Sequence, residues 1–205
     1  MKNFWDERYA QSEYVYGEEP NTYFKTQLDA LLPGKILLPA EGEGRNAVYA
    51  AERGWEVFAF DQSTEGKKKA EALARKKKVT IDYQIGDCGF IQYPVEKFDA
   101  IGLIYVHFPS SQRGAYHQRI SAFLKPGGMI ILEAFNKKHF LYQQKNPTAG
   151  GPKDIDMLYS IEELKLDFSG FDILELSETE IDLEQSLFHS GPSSVIRFLG
   201  RKSKP

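Results

Sequence analysis

The stretch Lys35-Ile36-Leu37-Leu38-Pro39-Ala40-Glu41-Gly42-Glu43-Gly44-Arg45-Asn46 limits the fold more than any other part of the chain. Its apolar run is too brief for a helix and passes at once into Gly-x-Gly. It therefore reads as a short buried strand over 36–38, a turn of small residues, and the start of a helix. Glycine carries no side chain, so a ligand can lie against the backbone there. The helix that follows points unpaired N–H groups and its positive dipole end into the same space. Strand–turn–helix units of this kind bind nucleotide-like ligands outside the carboxyl ends of the strands in open α/β sheets.

The rest of the chain is long enough to complete such a sheet. Its 205 residues suit one full-sized domain, 1–205, with its own core. Within it, 1–34 reads as an aromatic N-terminal arm and helix, and 136–158 as a lid loop. A net charge of −3 gives no general attraction to nucleic acid or to an anionic membrane. The expected partner is a small molecule, and the expected state is a monomer or weak homodimer. The single cysteine, Cys88, excludes an intrachain disulfide and suits a reducing compartment. The N-terminus has mixed charge and no apolar core, unlike a secretory signal. The longest apolar run, 100–106, is too short to span a bilayer. A cytoplasmic location is expected.

Taken in order, residues 1–24 are dense in aromatics, and Gly17 and Pro20 interrupt them. Phe4 and Trp5 read as an arm packed on the sheet, with 14–21 as the inner edge of a flap. A helix is predicted over 22–32 and another over 45–53, the second stopped by Gly54. Strands follow at 55–60, ending on Asp61, and at 79–85, ending at Gly86-Asp87, with a Ser63-capped helix between them. The lysines of that helix read as a solvated face. The near-continuous apolar run over 98–106 marks a central parallel strand covered on both faces. A helix capped by Ser110, with Tyr116, Ile120, Phe123 and Leu124 inward, leads through Lys125-Pro126-Gly127-Gly128 into a strand over 129–135. Residues 136–158 show no clear period, as lids often do not. Ser160-Ile161-Glu162-Glu163 is a capping box. Two strands, 171–183 and 194–201, close the chain as an antiparallel pair through Phe188-His189. The sum is an α/β fold: a doubly wound, mostly parallel seven-stranded sheet with helices on both faces.

Three features share one sheet edge: the Gly42-x-Gly44 turn, Asp61 and Asp87. A carboxylate at a strand tip can accept hydrogen bonds from both ribose hydroxyls, and a second can meet a base amine. Asp61 alone reads equally well as a helix cap; in register with the other two it reads as a site. A nicotinamide-dependent oxidoreductase is one alternative, since Gly42-Glu43-Gly44-Arg45-Asn46-Ala47 matches the dinucleotide pattern with Asp61 at ribose distance. Tyr93-Pro94-Val95-Glu96-Lys97 imitates a Tyr-x-x-x-Lys pair, but Pro94 places it on a turn. The late first strand and the antiparallel closure both favour another ligand. A non-catalytic nucleotide-binding protein is the other alternative.

The chain resembles a class I S-adenosylmethionine-dependent methyltransferase over nearly its whole length. The likeness is carried by Phe4-Trp5-Asp6-Glu7-Arg8-Tyr9, Tyr16-Gly17-Glu18-Glu19-Pro20-Asn21, Glu41-Gly42-Glu43-Gly44-Arg45-Asn46, Phe60-Asp61-Gln62-Ser63, Gly86-Asp87, Val106-His107-Phe108-Pro109 and Leu124-Lys125-Pro126-Gly127-Gly128. Among these enzymes it is most similar to the small bacterial tellurite-resistance and thiopurine methyltransferase type, through Gly150-Gly151-Pro152 and the closing strands.

The resemblance implies S-adenosylmethionine as cofactor, with Ala40, Gly42 and Gly44 against its methionine part and ribose. Asp61 would hold the ribose hydroxyls beside Gln62. Asp87 would face the adenine amine beside Cys88. Ile104 and Tyr105 would floor the space between cofactor and acceptor, and Tyr16 and Gly17 would close over the methionine end. No metal is implied. The sequence departs from the family at Leu38, where an acid is usual, and at Ala40, where glycine is usual. Glu41 or a backbone carbonyl is left to meet the cofactor's ammonium, and Ala40 is a mild change if its φ is negative. Methyl transfer needs placement in a dry pocket more than side-chain chemistry. A thiol or chalcogen oxyanion acceptor needs little help from a base. For other acceptors His107 is the candidate base, with a structural hydrogen bond as its equal alternative. Tyr105 and Tyr16 offer aromatic faces to a sulfonium. Arg113, His117 and His139 read as surface residues, and His189 as a turn residue.

Overall fold

A computed structural model of the chain describes residues 2–146, 148–183 and 190–204. Phe188 and His189 lie outside the described residues. The chain begins with α1 (Lys2–Tyr9) and α2 (Thr22–Asp29), then alternates β1 (Lys35–Pro39), α3 (Arg45–Glu52), β2 (Glu56–Asp61), α4 (Thr64–Lys77) and β3 (Asp82–Ile85). It continues through β4 (Phe98–Ile104), α5 (Ser110–Ala122) and β5 (Leu124–Phe135) to α6 (His139–Lys145) and α7 (Ile161–Asp167). It ends on β6 (Phe171–Leu183) and β7 (Gly191–Lys202). The seven strands form one sheet in the order β3-β2-β1-β4-β5-β7-β6. Pairs from β3 to β5 are parallel, and β7 is antiparallel to both β5 and β6.

The alternation of strand side chains divides the core into two layers. Ile36, Leu38, Val57 and Ala59 pack under α2, α3 and α4 with Phe24, Leu28, Ala47 and Ala70. Leu37, Phe58, Ile101 and Leu103 face the other way, toward Ile120 of α5 and Leu164 and Phe168 of α7. Local chemistry sets several boundaries. Asn21 caps α2, Ser63 caps α4, and Ser160 with Glu163 forms a full capping box on α7. Among the described residues no helix is long and apolar enough to cross a membrane.

Four expectations need correction. The strand expected over 79–85 is reduced to Asp82–Ile85, because Lys78 ends α4 at φ 58° and Val79 and Ile81 pack against that helix. Ser110 starts α5 but Pro109 is its cap, and the buried face holds Arg113 and His117 as well as Ile120. Phe4 is exposed. The segment 136–158 is not a bare loop. It contains α6 and a 3-10 turn, Ile155–Met157, and buries Ala149, Leu158 and His139 against the β5–β7 end of the sheet.

Candidate active site

The glycine turn and two acidic strand tips meet at one edge, joined by hydrogen bonds. The Gly42 N–H donates to Asp61 Oδ2 at 3.0 Å, and the Ser63 N–H donates to Asp61 Oδ1 at 2.8 Å. The Gln62 amide donates to the Asp87 carboxylate, whose other oxygen accepts from Gly89 N–H at 2.8 Å. Asp61 is 6% exposed, and burial raises its pKa against the pull of those N–H bonds.

The turn itself is tightly wound. Ala40, Gly42 and Gly44 have φ of 50°, 61° and 87°. Ala40 thus adopts the left-handed conformation that alanine disfavours, so the condition for a mild change fails. The two glycines serve packing as well as access. A β-carbon on Gly44 would stand 2.5 Å from Cβ of Ala70, so glycine lets α3 press on α4. A β-carbon on Gly42 would meet the Tyr9 hydroxyl.

The two glutamates of the turn hold what lies around it. Glu41 turns its carboxylate onto the N-terminus of α3 and accepts from Asn46 and Ala47 N–H, both at 2.8 Å. Burial pushes its pKa up to about 7. Glu43, 4% exposed, accepts from Val15 N–H at 2.8 Å and Lys69 Nζ at 2.8 Å. Arg45 donates to the Tyr16 carbonyl at 2.8 Å, and Arg8 to the Tyr16 hydroxyl at 2.9 Å. Asp6 accepts from Ser63 Oγ at 2.7 Å and Thr64 N–H at 2.8 Å. The N-terminal arm is thereby stapled across the strand tips.

Beneath the arm lies a cavity of about 740 Å³, lined by Tyr14, Tyr16, Gly17, Asn21, Tyr23, Arg45, Tyr105, Glu133 and Arg197 among others. A smaller one of about 30 Å³ lies between Tyr9, Tyr16, Gly17, Glu41, Glu43 and Arg45. Tyr16, Gly17 and Arg45 border both. None of the described lining residues comes from 136–158; residues 13–23 form the flap.

Tyr105 leaves β4 with φ 54°, a strained position for a bulky residue of the kind found at functional sites. Its N–H donates to the Glu133 carbonyl at 2.7 Å and its hydroxyl to Glu133 Oε1 at 3.1 Å. Glu133, 1% exposed, also accepts from Asn21 Nδ2 at 2.6 Å and Arg197 Nε at 2.8 Å. Burial raises the Tyr105 phenol further above its ordinary range, with Glu133 adding to it.

Other predicted residues fall elsewhere. Ile104 and Cys88 sit in the core, and burial pushes the Cys88 thiol up to about 12. His107 has both ring nitrogens engaged. Nδ1 lies 2.8 Å from the Met157 carbonyl, so it carries the proton, and Nε2 accepts from Phe135 N–H at 3.3 Å. Burial lowers its pKa to about 4. The three residues read as surface are all buried. His139 and His117 are 0% exposed, and Arg113 and His117 both bind Asp167 Oδ2, at 2.7 and 2.9 Å. Sequence reasoning missed Glu133 and Arg197 as site residues. Each is the one charge within an apolar run, 129–135 for Glu133 and 195–199 for Arg197, and that was their available signal.

Residues 36–128 match the family described as a methyltransferase domain. Among curated proteins no sequence matches. Solved structures share the fold at low identity. One, from work on conversion of a disulfide bond into a thioacetal group during echinomycin biosynthesis, has a TM-score of 0.78 at 17% identity, covering 99% of this chain and 92% of its own. Magnesium protoporphyrin IX methyltransferase from Synechocystis PCC 6803, with bound SAH, gives 0.72 at 15%, covering 98% of each chain. TehB from Haemophilus influenzae gives 0.71 at 17%, covering 98% of this chain and 67% of its own. The chain thus carries a match to a methyltransferase domain over residues 36–128, set in a Rossmann-like architecture shared with those solved structures, and S-adenosylmethionine is the cofactor such a domain implies.

Proposed function

We propose that the chain methylates a small-molecule acceptor, a thiol or a chalcogen oxyanion, held in the cavity beneath the arm. The observation that carries this is the sharing of Tyr16, Gly17 and Arg45 between the small cavity at the glycine turn and the large one beside Tyr105. A ligand seated at the turn therefore adjoins a second space with its own polar floor. The sequence motifs at Gly150-Gly151-Pro152 and in the closing strands point to the tellurite-resistance type, and TehB shares the fold.

The residues fit the cofactor in their chemistry. Glu41 and Arg45 set a carboxylate and a guanidinium on one small cavity, complementary to an amino acid's ammonium and carboxylate. Glu41 would take the role that Leu38 cannot fill. Asp61 and Asp87 supply acceptors for ribose hydroxyls and an adenine amine, with Gln62 fixing Asp87. Bound S-adenosylmethionine supplies a methyl group on a sulfonium, an excellent leaving group. The chain's own contribution is orientation and the exclusion of water: the stapled arm covers the strand tips, and the Tyr105 and Tyr16 rings border the acceptor space. His107 has no free lone pair and serves as a brace between β5 and the 3-10 turn.

Calorimetry with S-adenosylhomocysteine, NADH and ATP tests this reading. Binding of S-adenosylhomocysteine alone is expected. Binding of NADH without it would mean an oxidoreductase.

A further inference from the structure

The large cavity has a deep charged group whose hydrogen-bonding capacity the protein leaves partly unused. Arg197 rises from β7 into the cavity, and its orientation is fixed twice. Its Nε donates to Glu133 Oε2 at 2.8 Å, and its guanidinium stacks over the Tyr23 ring at 4.8 Å. Its side chain is 27% exposed, and among the described residues its two terminal nitrogens make no hydrogen bond. A planar fork held rigid by a carboxylate behind it and a ring beneath it loses little entropy when it engages a ligand. Its geometry suits a planar oxyanion, which can accept two parallel N–H bonds.

The fork also stands close to the strand tip where the acceptor must react. Tyr105 and Arg197 hang on opposite oxygens of the same Glu133 carboxylate. An acceptor anchored on Arg197 would lie one side chain away from Tyr105.

The charges at the mouth act the other way. Glu13, Glu19 and Asp182 line the cavity too, and their residues are exposed. Exposed charges are screened by salt within about 10 Å, whereas a partly buried guanidinium is screened much less. Glu18 is already paired with Lys76 at 2.5 Å. Glu133 lies deeper still, but Asn21, Tyr105 and Arg197 itself occupy its two oxygens, so Arg197 is the partly buried charge with donors left over for a ligand.

We infer that Arg197 anchors the acceptor by a carboxylate or similar planar oxyanion, making this a methyltransferase for anionic small molecules; the inference rests on the cavity being the acceptor site. Three thiols on one aryl scaffold, with an anionic, a neutral and a cationic para group, test it: 4-mercaptobenzoate, 4-mercaptobenzamide and 4-mercaptobenzylamine. Each is titrated calorimetrically into the protein saturated with S-adenosylhomocysteine, which has no methyl to give. The benzoate is expected to bind about tenfold more tightly than the amide, the gain of a charge-assisted pair over a neutral one, with the amine weakest. In Arg197→Lys, which keeps a cation beside Glu133 but loses the fork, the benzoate preference should collapse toward the amide's affinity. Equal affinities, preference for the amine, or no binding of any of the three overturns the inference. The wild-type series decides even if the variant folds poorly. Failure of S-adenosylhomocysteine to bind at all would instead remove the methyltransferase reading, and this inference with it.

Discussion

The phenol oxygen of Tyr9 lies 2.5 Å from the point where a β-carbon on Gly42 would stand. The glycine turn and the N-terminal arm are therefore one packed unit. Gly42→Ala forces the arm outward and places alanine at φ 61°. A loss of about 1–3 kcal/mol is expected, seen as a melting temperature several degrees lower. Tyr9→Phe removes the colliding oxygen, so the double variant should recover part of that loss. Strict additivity in the cycle would show that the two residues do not meet.

Asp61 ties the turn to β2, so it has a structural role beside the binding role proposed for it. Asp61→Ala leaves the buried N–H groups of Gly42 and Ser63 without acceptors. We expect a stability loss of about 2–3 kcal/mol, along with weak cofactor binding. Asp61→Asn keeps an acceptor for one of them. It should stay folded by circular dichroism while binding S-adenosylhomocysteine at least about tenfold more weakly, since a charged acceptor becomes a neutral one. Undiminished binding in the asparagine variant would put the ribose elsewhere.

Glu41 carries a pH signature. Burial raises its folded-state pKa to about 7, above the ordinary carboxylate value. The unfolded chain releases that proton earlier, so this group's contribution to stability falls as pH rises from about 4.5 to 7 and is level beyond. Glu41→Gln preserves an oxygen to accept from Asn46 and Ala47 without the buried charge. It should match wild type near pH 5 and exceed it at pH 8 by on the order of 1–3 kcal/mol in urea unfolding. Its binding should show the cost, with weaker S-adenosylhomocysteine but unchanged 5′-methylthioadenosine, which lacks the amino-acid end.

His107 slopes in the opposite direction. It is held neutral in the fold with a pKa of about 4, while the unfolded chain protonates it below about 6.5. Stability assigned to it is complete above that value and is lost as pH falls from 6.5 to 4. His107→Gln should therefore lose stability at pH 7 yet narrow its gap to wild type at pH 4.5, by on the order of 1–3 kcal/mol. A constant gap across that window would mean that its ring is not buried neutral.

What the sequence made legible is what local rules govern. The strand over 36–38, the caps at Ser63 and Ser160, and the antiparallel closing pair follow from periodicity, side-chain capping and turn residues. The register of the strand tips followed in part: Asp61 ends β2 as expected, whereas β3 stops at Ile85 and Asp87 lies two residues beyond it. The large cavity beneath the arm did not, because it is assembled from distant parts. Glu133 and Arg197 are 64 residues apart and meet only through the β5–β7 pairing. Gly44 carried a glycine signal whose cause, contact with Ala70, lies on another helix. Residues 136–158 lacked a period because α6 is only seven residues long and buries polar side chains.

The polar residues read as surface groups give the last prediction. Arg113 and His117 share one oxygen of Asp167, and Arg113 also reaches Glu163 at 3.1 Å. This cluster joins α5 to α7 under Tyr159 and Phe168, whose rings enclose His117. Burial raises the Asp167 pKa, but hydrogen bonds from His117 and Arg113 outweigh it and hold the carboxyl below its usual range. Its contribution is therefore full above the ordinary carboxylate pKa and is lost as pH falls through the lowered one. Asp167→Asn leaves a buried guanidinium with only part of its counter-charge. Breaking such a pair costs about 3–5 kcal/mol, or about 10 °C in melting temperature for a domain of this size. His117→Phe keeps the ring packing and removes one of the two donors, so it should cost far less. If the two variants melt together near wild type, the cluster is ornamental and α7 is held by Leu164 and Phe168 alone.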